Sequence, residues 1–275
     1  MKLMLLHGGA GKWDVNEVDR ALEVLIHAAE TGLSVLDNDG SSLDAVVEAV
    51  TYMEYSGVLN AGRGACRDLS GEVSLDAGVM WMDRAGAVAY IKATWNAIKL
   101  ARVVMEETPH ILIVGDGADR LAEVKGLPPL EVIPGKANGD TVGAVALDEK
   151  GRLASAVSTG GIKGKMRGRV GDTPIPGAGF WTSKLVASCA TGYGEAIIMA
   201  QPCRLISTLY EEAKLPLGKA LMTSCGFVKA PCGLIALTVN GEAAAATTAE
   251  MMPVAIMRDG RIEGHLVKKG LAIEF

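Results

Sequence analysis

Thr141 sits at a boundary that could do chemistry. A turn-rich run, Gly135-Lys136-Ala137-Asn138-Gly139-Asp140, leads into it, and an apolar stretch from Val142 to Leu147 leads out. Downstream come Ser158-Thr159-Gly160-Gly161, then Arg169 and Asp172 three residues apart, then Thr191-Gly192-Tyr193-Gly194. Familiar arrangements are missing: the chain has no Gly-x-Ser-x-Gly, no His-Glu-x-x-His and no phosphate-binding Gly-x-x-x-x-Gly-Lys-Ser/Thr. Ile111-Leu112-Ile113-Val114-Gly115-Asp116-Gly117 has Arg120 where a dinucleotide loop needs its third glycine, and reads as an ordinary strand-to-helix turn. Of the four histidines only His7 adjoins a glycine cluster; His27, His110 and His265 read as structural, so a hydroxyl nucleophile would draw its base from elsewhere. A threonine at a chain N-terminus carries its own base, a free α-amine with a pKa near ~8. A mid-chain threonine becomes terminal when its hydroxyl attacks the preceding carbonyl, here that of Asp140, whose carboxylate could assist proton transfer. The same spacing also fits a loop ending at a strand, with threonine chosen for its β-propensity. Arg169 and Asp172 alone also fit a surface ion pair.

The elements that must hold these residues are legible in outline. Lys2–Leu6 reads as a strand. Asp14 with Glu17, and Ser41 with Asp44, have the spacing of helix capping boxes. Val18, Ala21, Leu22, Leu25, Ile26 and Ala29 recur at helical spacing, and a second helix is predicted over Ala45–Met53. Strands are predicted at Ser74–Met82, Ala87–Ile91, Ile111–Val114, Thr141–Leu147, Leu153–Val157, Leu185–Ala190, Leu234–Val239, Ala243–Thr247, Val254–Met257 and Ile262–Leu266. Helices are predicted over Ile98–Met105 and from Gly194 to about Ala213, the latter bent at Pro202. Asn240-Gly241 and Asp259-Gly260 are hairpin signals. Val124 to Asp140, with Pro128, Pro129 and Pro134, reads as a linker. Helices outside two stacked sheets would bury the apolar faces.

The 275 residues suffice for a hydrophobic core without disulfides or metals. A formal net charge of −5 argues against a nucleic-acid partner, which wants a basic surface. Five cysteines without a Cys-x-x-Cys pair read as buried thiols in a reducing compartment. The N-terminal apolar run, Leu3 to Leu6, is too short for a signal peptide, and no membrane helix is expected, so a cytoplasmic location is expected.

Three segments together carry a resemblance: Gly139 to Asp148 around Thr141, Ser158-Thr159-Gly160-Gly161, and Gly168-Arg169-Val170-Gly171-Asp172-Thr173-Pro174-Ile175-Pro176-Gly177-Ala178-Gly179. His7–Gly11, Asn60–Gly64, Asp76-Ala77-Gly78, Ile98–Gly117 and Ala190–Glu195 extend it over nearly the whole chain. The sequence resembles the plant-type L-asparaginase and isoaspartyl peptidase family of N-terminal-nucleophile hydrolases. The resemblance implies an α+β fold, a four-layer αββα sandwich forming one domain over 1–275. It implies self-cleavage between Asp140 and Thr141 into chains 1–140 and 141–275, paired as a homodimer of αβ units. Thr141 corresponds to the nucleophile and Thr159 to the threonine that orients it. Asn60 steadies the amine, Thr191 and Gly192 supply the oxyanion hole, and Arg169, Asp172 and Gly194 bind the substrate's α-carboxylate and α-ammonium. Substrates would be L-asparagine and β-aspartyl dipeptides, with no cofactor for catalysis. A structural sodium ion on backbone carbonyls of Met53, Glu54, Ser56, Leu59, Ala61 and Arg63 is also implied. The linker is shorter than is common in the family, and Asp140 is the residue of the glycosylasparaginase branch. Release of glycan from glycosylated asparagine is therefore the alternative activity, and an uncleaved amino-acid-binding relative the non-enzymatic one. Tyr193, Phe180 and Trp181 are expected near the pocket, either against the leaving group or as packing.

Overall fold

A computed structural model describes residues 1–133 and 141–275; the predicted scissile residue Asp140 lies outside the described residues. Two β-sheets form its centre. In chain order the elements are β1 (Leu3–His7), α1 (Val15–Asp37), α2 (Ser42–Ser56), a short 3-10 turn (Gly62–Gly64), β2 (Leu75–Trp81), β3 (Arg84–Ile91), α3 (Ala97–Glu107), β4 (Leu112–Val114) and α4 (Asp116–Val124). After the undescribed segment come β5 (Val142–Leu147), β6 (Leu153–Thr159), β7 (Phe180–Thr182), β8 (Val186–Gly192), α5 (Gly194–Ala200), α6 (Pro202–Glu211) and α7 (Leu217–Phe227). β9 (Cys232–Thr238), β10 (Ala243–Thr247), β11 (Met251–Arg258), β12 (Arg261–Lys268) and β13 (Leu271–Glu274) complete the chain.

Among the described residues, eight strands form one sheet in the order β12-β11-β1-β5-β6-β2-β3-β4, and five form the other, β13-β10-β9-β8-β7. Neighbours are antiparallel except β3 and β4, which run parallel. β5 is buried along its whole length, as is β6. Such strands need both faces covered, and β5 accordingly reads as an unbroken apolar run, whereas β6 carries Ser155 and Ser158, whose buried hydroxyls bond Thr182 and Glu54. One face of the larger sheet packs on α1, α2 and α3 around Met4, Leu6, Val46 and Ile98. Its other face meets the smaller sheet through Leu3, Leu5, Val145, Phe180 and Ile235. The outer face of the smaller sheet packs on α6 and α7 around Cys203, Ile206, Leu221 and Cys225.

Both predicted capping boxes form. Asp14 N–H donates to Glu17 Oε2 at 3.2 Å, and Ser41 N–H to Asp44 Oδ2 at 2.9 Å, closing the starts of α1 and α2. The predicted turn after Ile111–Val114 also forms, with Gly115 ahead of α4. β4 itself is a short edge strand with Leu112 and Val114 exposed, so its apolar character is not burial. The helix expected over 194–213 is broken rather than bent. Gln201 adopts left-handed backbone (φ 50°) and Pro202 opens a new helix, because a proline has no N–H to continue the old one. α7, β7 and β13 were not anticipated from the sequence. No helix among the described residues is long and apolar enough to cross a membrane.

Candidate active site

Strand register gathers the predicted residues at one end of the facing sheets. Val142 pairs with Ser158 and Gly143 with Val157, so the same register continued by one residue sets Thr141 opposite Thr159. β6 passes the geometry on, since Thr159 pairs with Asp76 of β2. On the other side of β5, His7 pairs with Gly143. In the facing sheet β8 ends at Thr191 and Gly192, paired with Gly233 and Cys232 of β9. Cys189 Sγ lies 3.6 Å from both Ala144 O and Ala156 O, and Ala10 N lies 3.4 Å from Thr191 Oγ1. These contacts tie β8 to β5, β6 and the glycine-rich turn after β1.

Thr141 is buried, 6% exposed, and its hydroxyl oxygen lies 3.4 Å from that of Thr173. Thr173 directly follows Asp172, so this contact brings Thr141 beside the Arg169–Asp172 group. Sequence reasoning placed Thr173 within a motif but gave it no part; its signal was only its adjacency to Asp172. Gly194 completes the group: a Cβ there would stand 2.6 Å from Arg169 Nη2 and 3.0 Å from Asp172 Oδ1. Only glycine lets the start of α5 come this close to both charges.

Arg169 is not unengaged. Its Nε and Nη2 donate to the two carboxylate oxygens of Glu195, each at 3.0 Å, in a two-pronged pair. Arg169 in turn holds the Glu195 carboxyl below its ordinary range. Glu195 is thus a site residue to which the sequence motifs gave no role. Its position next to Gly194 and its charge opposite to Arg169 were the available signals.

Thr159 Oγ1 accepts from Gly161 N–H at 3.0 Å. Asn60 is tied at three points: Nδ2 donates to Gly161 O at 2.6 Å, Oδ1 accepts from Cys66 N–H at 3.0 Å, and its carbonyl accepts from Gly160 N–H at 3.0 Å. Buried Lys165 adds a support that sequence reasoning missed, donating to Gly160 O at 2.9 Å and Ser74 O at 3.0 Å. Burial lowers the Lys165 pKa, against the pull of the nearby Asp76 carboxylate. The turn Thr159-Gly160-Gly161 is therefore fixed from three sides. His7 is wholly buried, and burial pushes its imidazole down to about 3, so it stays neutral. A Cβ at Gly143 would overlap its ring, so β5 can run beside His7 only with glycine there.

The three aromatic candidates separate. Phe180 lies in the core between the sheets, and Trp181 packs under Arg204, whose guanidinium carbon is 4.5 Å from the ring centroid. Tyr193 alone borders the site, half exposed beside Gly192.

The carbonyls named for a cation lie in the tight passage from α2 to the 3-10 turn. Met53 O accepts from Ser56 Oγ, Leu59 O from Ala61 N–H, Ala61 O from Gly64 N–H and Arg63 O from Ile133 N–H, each at 2.8–3.0 Å. Each keeps a second lone pair. Gly62 has φ 52°, and a Cβ there would stand 2.6 Å from Glu54 O, so the turn closes onto these oxygens only because the residue is glycine. A set of neutral carbonyl oxygens suits a hard cation. The Glu54 side chain points elsewhere: Oε1 accepts from Ser158 Oγ at 2.6 Å and Ile98 N–H at 3.0 Å. Burial pushes its carboxyl up to about 8. Among the described residues no three His, Cys, Asp or Glu side chains group as metal ligands.

Comparison with known proteins identifies the family. The family model described as asparaginase matches residues 1–132 and 129–267. A plant-type L-asparaginase of Pyrobaculum calidifontis is 44% identical over 233 residues, covering 73% of this chain and 77% of its own. The isoaspartyl peptidase/L-asparaginase of Mus musculus is 36% identical, over 96% of this chain and 90% of its own. The protein of the same name from Homo sapiens is 36% identical over 94% of both chains. With a threonine heading a buried strand beside an arginine–aspartate–glycine group, and with matches along almost its full length, the chain belongs to the asparaginase family.

Proposed function

We propose that this protein hydrolyses β-aspartyl amide bonds, in isoaspartyl dipeptides and L-asparagine, through Thr141 exposed by self-cleavage. The observation that supports the reading is the 3.4 Å approach of the Thr141 hydroxyl to that of Thr173, the residue that follows Asp172. In maturation the Thr141 hydroxyl attacks the carbonyl of residue 140, the peptide C–N bond breaks, and water hydrolyses the resulting ester. Chains 1–140 and 141–275 remain together in the αββα sandwich of N-terminal-nucleophile hydrolases, and two αβ units pair in the cytoplasm.

In catalysis the Arg169 guanidinium takes the substrate α-carboxylate, and the Asp172 carboxylate takes the α-ammonium. That clasp selects substrates whose aspartyl head is free and presents the β-carbonyl to Thr141. The hydroxyl adds to the carbonyl carbon and its proton passes to the Thr141 amine. Thr191 and Gly192 donate to the oxygen that becomes negative, each such donor lowering the barrier by about 2.7–4 kcal/mol. The C–N bond then breaks, the leaving amine takes the proton, and water releases aspartate from the β-aspartyl ester of Thr141. Thr159 and Asn60 keep the hydroxyl and amine in place. A sodium ion, held by backbone carbonyls of Met53, Glu54, Ser56, Leu59, Ala61 and Arg63, would stiffen the turn that presents Asn60.

Intact-mass analysis of the purified protein tests the reading together with ammonia release from asparagine. Two fragments, the second starting at Thr141, are expected, and Thr141→Ala should give one uncleaved, inactive chain. Turnover by that variant would end the assignment. Asp140 favours a second reading, glycosylasparaginase, which sugar release without ammonia release from asparagine would select.

A further inference from the structure

Gly192 also lines a pocket of about 380 Å³ whose wall includes none of Thr141, Arg169, Asp172 and Gly194. Its volume falls within the ~300–1,000 Å³ range of small-molecule clefts. The turn after β1 supplies Ala10 to Lys12, Ile162 enters from the turn beyond Thr159, and Tyr193 adjoins Gly192. Glu250 and Lys269 also line it.

We propose that this pocket is the leaving-group subsite, and that Lys12 and Lys269 bind the α-carboxylate of the amino acid released from a β-aspartyl dipeptide. The proposal rests on the β-aspartyl hydrolase reading above and names the half of the substrate that Arg169 and Asp172 do not hold. On that reading those two residues and Gly194 hold the aspartyl head, and Thr191 and Gly192 face the scissile carbonyl. Gly192 is also part of the pocket wall, so the amino acid attached to the amide nitrogen has this pocket within reach, while the residues that hold the head are not in its wall. There the walls offer apolar surface from Ile162, Tyr193 and Ala249 with two ammonium groups at the rim. In a chain of net charge −5, paired lysines around one pocket mark a place for an anion. Lys269 has no carboxylate within ion-pair distance among the described residues. Lys12 meets Glu250 at 3.5 Å between two exposed side chains, a pair weak enough to exchange for a substrate carboxylate.

The test compares three substrates: a β-aspartyl dipeptide with a free C-terminus, the same dipeptide as its C-terminal carboxamide, and L-asparagine. Lys12→Met, Lys269→Met and the double variant are assayed beside the parent protein, and exposure of both lysines lets each variant fold. The parent should prefer the free acid to the carboxamide. Each substitution should lower that preference about threefold to fivefold, mainly through KM, and the double variant should abolish it. The preference should also fade as salt is raised, because the lysines are exposed. An acid-to-carboxamide ratio equal in parent and variants, with all substrates hydrolysed, would overturn the subsite alone. Failure of the parent protein on all three substrates would overturn the reading beneath it as well.

Discussion

In the proposed reaction Arg169 is already committed. Two of its donors are held by Glu195, and a substrate carboxylate would have to use the remaining edge or displace the glutamate. A lysine would keep the charge but lose the planar fork that serves two carboxylates at once. Arg169→Lys should therefore self-cleave normally yet lose roughly tenfold or more in kcat/KM on asparagine, as expected for charge-assisted hydrogen bonds of about 1.5–3 kcal/mol. Steady-state kinetics beside a denaturing gel separates the two outcomes. Glu54 makes a different prediction. Its carboxyl titrates near 8 in the folded chain against 4.5 as the ordinary value. Between those limits the folded state keeps a proton that the unfolded state has released. Stability should fall as pH rises through that window, by up to ~1.4 kcal/mol per pH unit, and level off above it. Glu54→Gln should flatten the fall, measured as Tm against pH from 4.5 to 8.5; an unchanged slope would show that other groups set it. At this scale the sequence disclosed residue types and motifs but not pairings. Thr141, Arg169 and Asp172 stood out by motif. Glu195, Thr173 and Lys165 did not, because their parts depend on partners 26, 32 and 91 positions away.

Elements with self-contained signals were readable. Asp14 with Glu17 and Ser41 with Asp44 state a helix start within four residues, and Asp259-Gly260 states a hairpin in two. The backbone of that hairpin pair takes the left-handed values a tight turn needs (φ 45° and 88°). β7 is three residues long and pairs across a short turn with β8, and β13, on an exposed edge, pairs with β10 some thirty positions away; each carries little pattern of its own. α7 begins after Pro216 without a side-chain cap and mixes small and apolar residues, so no polar stripe announced it. Caps that can be read can also be removed. Ser41→Ala should lower stability by about 1 kcal/mol. Because α2 packs on β5 and β6, chemical denaturation should show the loss as a lower midpoint with the slope retained.

At the scale of the molecule, the two sheets and the helices outside them follow from apolar runs that need cover on both faces. That much was legible from pattern, whereas the order of strands was not. The order carries a consequence for maturation. β1 belongs to the segment before Thr141, yet its neighbours on both sides, β5 and β11, belong to the segment after it. β6 in turn lies against β2, so the two segments meet along three ladders in one sheet. A cut at residue 140 would leave two pieces laced like fingers of clasped hands, neither holding the larger sheet complete. Two halves made separately should each fail to fold, and the nicked protein should run as one particle on a sizing column until denaturant pulls both apart in a single transition. Such lacing also imposes a sequence of events: the chain must find its shape while whole, and only then can it be severed without coming undone.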